Sequence, residues 1–110
     1  MNIIAQGGEY SKREIYALTK SPRIEKMSNH VGDKIEVEKY LIYEDDNNTS
    51  DLPITILSIG SGETVIATNS ATAVKEFRGI VDLMAGDPFA VEVLTGTSKN
   101  GRTYITLALA

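Results

Sequence analysis

Arg102 and Tyr104 stand two residues apart in Asn100-Gly-Arg-Thr-Tyr-Ile-Thr-Leu-Ala-Leu109. Side chains on a strand alternate between its two faces. Ile105, Leu107 and Leu109 therefore share one aliphatic face, and Arg102 and Tyr104 share the other. A guanidinium beside an aromatic ring, turned away from the core, suits the stacking of a nucleobase and the holding of a phosphate. The chain carries five tyrosines (Tyr10, Tyr16, Tyr40, Tyr43, Tyr104), two phenylalanines and no tryptophan. A single strand tyrosine packed with its hydroxyl at the rim is the plainer alternative for each. Several tyrosines beside a basic region favour stacking.

Other chemistries fit less well. Asp45, Asn47, Thr49 and Asp51 alternate as calcium ligands do. However, Ser50 stands where the loop needs glycine, and Ile56 where it needs the bidentate glutamate. Gly60-Ser-Gly-Glu-Thr64 has no following lysine and no helix start, so it reads as a turn and not a phosphate cradle. His30, the one histidine, lies in a polar stretch and is expected to be a surface histidine with no serine or carboxylate constellation around it. Cysteine is absent, which removes disulfides, thiolate nucleophiles and thiolate metal sites. The expectation is a protein that is not an enzyme and has no cofactor and no metal.

The elements that must position these residues follow from periodicity. Residues 1–13 read as a flexible arm containing Gly7-Gly8. Ser11-Lys-Arg-Glu14 fits a helix capping box, but Glu14–Thr19 also fits a short strand, and the strand is expected. Residues 20–34 form a polar, basic loop. Lys34–Tyr43 reads as one strand with mixed parity, which implies a bulge or twist near Lys39. Leu52–Ile59 reads as a buried strand and Glu63–Thr68 as another. The spacing then changes: Val74, Phe77, Ile80 and Met84 mark a helix over about 71–85, with Ser70 as N-cap and Gly86 at the C-cap. Phe89–Leu94 and Thr103–Leu109 are two strands joined at Asn100-Gly101, the signal of a type I′ turn. Three strands, a helix and two strands is the order of an OB-fold-like five-stranded antiparallel barrel, mostly β, with the helix between strands 3 and 4.

With 110 residues, a single domain over 14–110 is expected. The net charge of −4 argues against coating duplex DNA by charge alone. The charge is unevenly placed. Residues 12–34 hold Lys12, Arg13, Lys20, Arg23, Lys26 and Lys34 against three acids, while 35–64 hold seven acids against Lys39. A basic face is enough to attract a phosphate chain, although a solvated surface would carry the same pattern. No apolar run reaches membrane-spanning length, and no signal-peptide core is present, so a soluble, cytoplasmic protein without a membrane partner is expected.

Leu94-Thr-Gly-Thr-Ser-Lys-Asn-Gly-Arg-Thr-Tyr-Ile-Thr-Leu-Ala-Leu109 is similar to the Gly-Thr-Ser, glycine-turn, aromatic and alternating-leucine ending of a known family. These are the single-stranded DNA-binding proteins of small protein-primed phages of Gram-positive bacteria. Glu14-Ile-Tyr-Ala, the basic loop, Gly32 and Ile35–Tyr43 resemble that family's N-terminal half. Gly62 and Ile80-Val-Asp-Leu83 fall in register, so the resemblance spans about residues 14–109. It implies a small protein that coats displaced single strands during phage DNA replication in the host cytoplasm, without strict sequence preference. Tyr43 matches a strand-end tyrosine of the family, and Tyr16 and Tyr104 match aromatic positions. Thr64-Val-Ile-Ala67 lacks the aromatic that the family carries there.

The combined expectation is single-stranded DNA stacked on Tyr43 and Tyr104, with Tyr16 or Tyr40 as further platforms. Its phosphates would meet Lys20, Arg23, Lys26, Lys39, Lys99 and Arg102. A replication polymerase is a candidate partner, and monomer and small homo-oligomer both remain open. The alternative is a protein-interaction β-barrel module, such as a phage assembly or host-takeover factor.

Overall fold

The computed structural model describes residues 1–45 and 53–110. Its elements run β1 (Asn2–Gln6), α1 (Lys12–Thr19), β2 (Glu25–Lys26), a 3₁₀ turn (Met27–His30), β3 (Lys34–Glu36), β4 (Lys39–Asp45), β5 (Ile54–Ser61), β6 (Thr64–Thr68), α2 (Ala71–Met84), β7 (Ala90–Thr97) and β8 (Thr103–Leu109). One sheet has the order β1-β4-β5-β6-β2 and the other β3-β7-β8. The pairings are antiparallel except β2 with β6. The protein is mostly β, but its eight strands form two sheets and no closed barrel among the described residues. The calcium-like alternation falls largely on residues 46–52, outside the described residues.

Both faces of the large sheet are covered, and this explains the mixed parities. Ile42, Leu57, Ile59 and Ile66 face the main core, where they meet Val91, Val93 and Leu107 of the small sheet. Helix α2 closes this core with Val74, Phe77 and Ile80, the stripe its spacing sets out. Burying each large apolar side chain contributes about 1.5–3 kcal/mol. The opposite face of the large sheet holds a smaller cluster of Leu18, Leu41 and Tyr43 beneath α1.

Residues 14–19 are helical, not extended. Ser11 Oγ accepts from the Glu14 amide at 3.2 Å, and Glu14 Oε1 accepts from the Ser11 amide at 3.0 Å. This capping box, together with the burial of Leu18, outweighs the strand propensity of Ile15 and Tyr16. The expected arm is also structured. β1 pairs with β4, and a register shift at Ile4 turns Ile3 toward the α1 cluster and Ala5 toward the main core. Without β1, β4 would be an open edge.

The expected single strand over 34–43 is two strands in different sheets. β3 pairs with β7, while β4 pairs with β5 and β1. The chain crosses at Val37-Glu38, whose amides donate to Phe89 O and Gly60 O. Gly60 lies inside β5, and the turn falls at Gly62-Glu63. The C-terminal hairpin forms where expected but by a different turn. Only Gly101 has positive φ (78°), Gly101 N donates to Ser98 O, and Ser98 N donates to Arg102 O. A longer loop closed by a left-handed glycine replaces the two-residue type I′ turn. At the end of α2, Ala85 takes the left-handed C-cap position (φ 50°), one residue before the expected Gly86.

Candidate nucleic-acid interface

The outer face of β5–β6 is defined by register. Ser58 pairs with Ala67 and Gly60 with Val65, so these four positions share one side, opposite Leu57, Ile59 and Ile66. Leu18 of α1 rests on this face, its Cδ2 about 3.4 Å from where a side chain at Gly60 would begin. Two grooves flank the contact. The first, about 740 Å³, is lined by Gly60 and Val65 of the sheet, Arg13 and Tyr16 of α1, Arg23 and Lys39. The second, about 990 Å³, is lined by Ala67, Lys26, Ser98, Thr103 and Tyr104 and by the start of α2.

Strand β2 is the divider. Ile24, just before it, lines the first groove, and Lys26, at its end, lines the second. Its partner β6 runs the same way along that face, with Val65 in the first groove and Ala67 in the second. The segment 20–26 therefore carries exposed Lys20, Arg23 and Lys26 from the end of α1 across the sheet edge.

Tyr16 is 54% exposed at the first groove. Tyr104 is half-buried at the second, and Ser98 and Thr103, which bracket the exposed Lys99 and Arg102, line the same groove. The parity argument for Tyr104 holds: Leu107 is in the core, Ile105 packs against it, and Tyr104 belongs to neither apolar cluster.

The other two tyrosines correct the expectation. Tyr43 is 5% exposed beneath α1, with its hydroxyl donating to Thr19 O at 3.4 Å. Burial pushes that hydroxyl's pKa up. No bulge turns Tyr43 outward, because the helix has brought a second core to that face. Tyr40 packs edge-on against Phe77 with ring centroids 5.0 Å apart, and its amide donates to Tyr10 Oη. Both rings are structural.

Lys39 lines the first groove, but its Nζ is 2.8 Å from Glu14 Oε2. That bond, followed by those to Ser11, holds the Glu14 carboxyl down at about 2. Lys39 is thus engaged, with its own pKa raised by the bond to Glu14. Glu38, in the same groove, accepts the Gly62 amide. Glu63 adds a further carboxylate, so the first groove is mixed in charge.

Arg13 belongs to the basic stretch 12–34 but not to the expected phosphate contacts, and it lines the first groove. On a helix, Arg13, Tyr16, Ala17 and Lys20 follow the spacing of one face. Reading Ser11–Glu14 as a cap would have found it. Among the described residues no group of three or more acidic or histidine side chains is placed to hold a metal. Among the described residues no helix is long and apolar enough to cross a membrane. Compared with protein families, curated proteins and solved structures, the chain has no match.

Proposed function

We propose that this chain is a non-catalytic single-stranded DNA-binding protein that takes its ligand along the two grooves on either side of β2, largely without regard to sequence. One observation carries the reading. Tyr16 and Tyr104 stand one in each groove, on either side of a strand edge bearing Lys20, Arg23 and Lys26. Aromatic platforms separated by a cationic path are what a flexible phosphate chain with splayed bases needs. An acidic chain with such a path binds by stacking aided by local charge.

Read as OB-like, the strand order favours the same grooves. The β3–β4 segment is shared by the two sheets, β5 and β6 follow it, α2 intervenes, and β7–β8 close the order. The seam left open between β6 and β8 is the second groove, lined from both strands. In OB-folds the second and third strands and the hairpin loop between the last two bind oligonucleotides. Their counterparts are β5, β6 and the Ser98–Arg102 loop. β1, α1 and β2 are additions to that plan, and α1 supplies Arg13 and Tyr16. Coating of strands displaced during replication, as in the phage proteins the sequence resembles, is the role such a surface suits. A polymerase working on the same template would be its partner in the cytoplasm.

The test is a salt series with oligo-dT on wild type, Arg23→Ala and Lys26→Ala. Releasing counterions from single strands gives a slope of about −0.7 per phosphate neutralised. Each variant should flatten the slope by roughly 0.7. Unchanged slopes in both variants would remove the path across β2 from the account.

A further inference from the structure

His30 lies outside both grooves, yet, contrary to the expectation of a histidine without carboxylates around it, it is bonded to the strand that divides them. Its Nε2 is 3.1 Å from Glu25 Oε1 on β2, and its Nδ1 is 3.1 Å from Asp33 Oδ2 in the turn before β3. Ionised carboxylates only accept hydrogen bonds, and a neutral imidazole has one donor nitrogen. Both bonds can exist together only in the imidazolium. A neutral ring would turn one nitrogen lone pair against a carboxylate.

The strand being held is slight. β2 has two residues, both exposed, paired with Ile66 and Ala67 at the edge of the sheet. Met27 is buried immediately after it, so the chain is pinned there, and loosening would be confined to the residues before. Those residues include the basic segment 20–26.

We propose that His30 is a proton-operated latch: it holds β2 against the turn at Asp33 only while both ring nitrogens carry hydrogen, and thereby sets the grip on a single strand. The effect on grip rests on the nucleic-acid reading above; the latch does not. Few groups compete for the ring. β6, packed on the 3₁₀ turn, has no titratable side chain. Glu92 of β7 stands opposite Lys34, and Lys26 lines the second groove. Glu25 and Asp33 are the charges that face it. Burial of the ring opposes the proton, but the hydrogen bonds to Glu25 and Asp33 outweigh it and hold the pKa above 6.5. A raised histidine pKa means that the stabilisation is complete below the unfolded value and is lost as pH rises through the folded one.

Because the chain has one histidine, its ring titration can be followed by NMR without ambiguity. Three readouts are taken from about pH 5.5 to about 9, spanning the histidine range, on wild type, His30→Gln and Asp33→Asn. They are the imidazole shift, hydrogen exchange at the β2 amides corrected for intrinsic rate, and oligo-dT affinity. The expected result is a step in β2 protection at the imidazole midpoint, absent in His30→Gln. Oligo-dT affinity should fall by about fivefold across the same midpoint, the small end of ordinary coupling. Asp33→Asn should lower the midpoint and shrink the step, which keeps the test decisive should His30→Gln fail to fold. β2 protection indifferent to the midpoint, or a step surviving in His30→Gln, overturns the latch. A step in protection with equal affinity on both sides overturns its control of binding. A step in protection with no oligo-dT binding at any pH keeps the latch and defeats the nucleic-acid reading.

Discussion

The ring of Tyr104 lies across Gly96, its antiparallel partner on β7. A methyl group at position 96 would stand 2.5 Å from both Cζ and Oη of the tyrosine. Glycine weakens a strand interior and often marks a close approach; here the aromatic ring covers it, the cross-strand device that rescues a strand glycine. The glycine holds the ring in place on the outer side of the hairpin, which is what a stacking platform requires.

Gly96→Val should therefore act on binding through Tyr104. Stacking contributes about 1–3 kcal/mol per base, and 1.4 kcal/mol is a factor of ten. Both Gly96→Val and Tyr104→Ala should weaken oligo-dT binding roughly tenfold, measured by titration of the folded protein. Wild-type affinity in Gly96→Val would mean that the ring's position is irrelevant to binding.

Tyr43 and Tyr16 should separate cleanly. Removing a large buried aromatic costs about 3–5 kcal/mol, so Tyr43→Ala should lower denaturant stability by that amount and leave the affinity of the folded fraction unchanged. Tyr16→Ala, at an exposed site, should change stability by less than about 0.5 kcal/mol and weaken oligo-dT binding roughly tenfold. The reverse pattern would return the interface to β4.

The contrast between these two tyrosines marks how far the sequence was legible. Period-two alternation puts Ile105 and Leu107 in the main core and leaves Tyr104 outside both apolar clusters, as the structure has it. For Tyr43 the alternation puts the ring on the side of Leu41, and the structure keeps the two in one cluster; the outward reading comes from the family resemblance and fails because β4 is buried on both faces. What covers the second face is α1, eight residues long and equally consistent with a strand over Glu14–Thr19. The capping pair Ser11 and Glu14 was the local clue, and the burial of Leu18 is the tertiary one. α2 was legible because its stripe runs for four turns. The split of 34–43 into two sheets was visible only as a change of parity near Lys39.

Glu14 joins the cap of α1 to Lys39, and its titration should report that link. Its carboxyl, held down first by Lys39 and then by Ser11, should titrate near 2. A depressed carboxylate contributes stability above its unfolded pKa and loses it as pH falls through the folded one. The contribution should therefore be complete above the ordinary value of 4.5 and fade toward about 2. Carbon-detected NMR on wild type and Lys39→Ala should find the midpoint moved up in the variant. An unmoved midpoint would mean that Lys39 is not its partner in solution.

Ala85 is the one non-glycine residue with positive φ among the described residues. A side chain in the left-handed region costs roughly 1–2 kcal/mol, and glycine is the usual occupant of this C-terminal position. Ala85→Gly should raise stability by about 1 kcal/mol, read as a higher denaturant midpoint with unchanged slope. A lower midpoint would contradict the left-handed cap.

The most direct measurement of the central claim is a tyrosine-fluorescence titration of the wild-type protein with oligo-dT and with duplex of equal length, at low and moderate salt. Stacking on Tyr16 and Tyr104 predicts quenching by the single strand, affinity that falls with salt, and weaker binding of duplex. Absence of quenching by oligo-dT at low salt, or tighter binding of duplex at moderate salt, would contradict it.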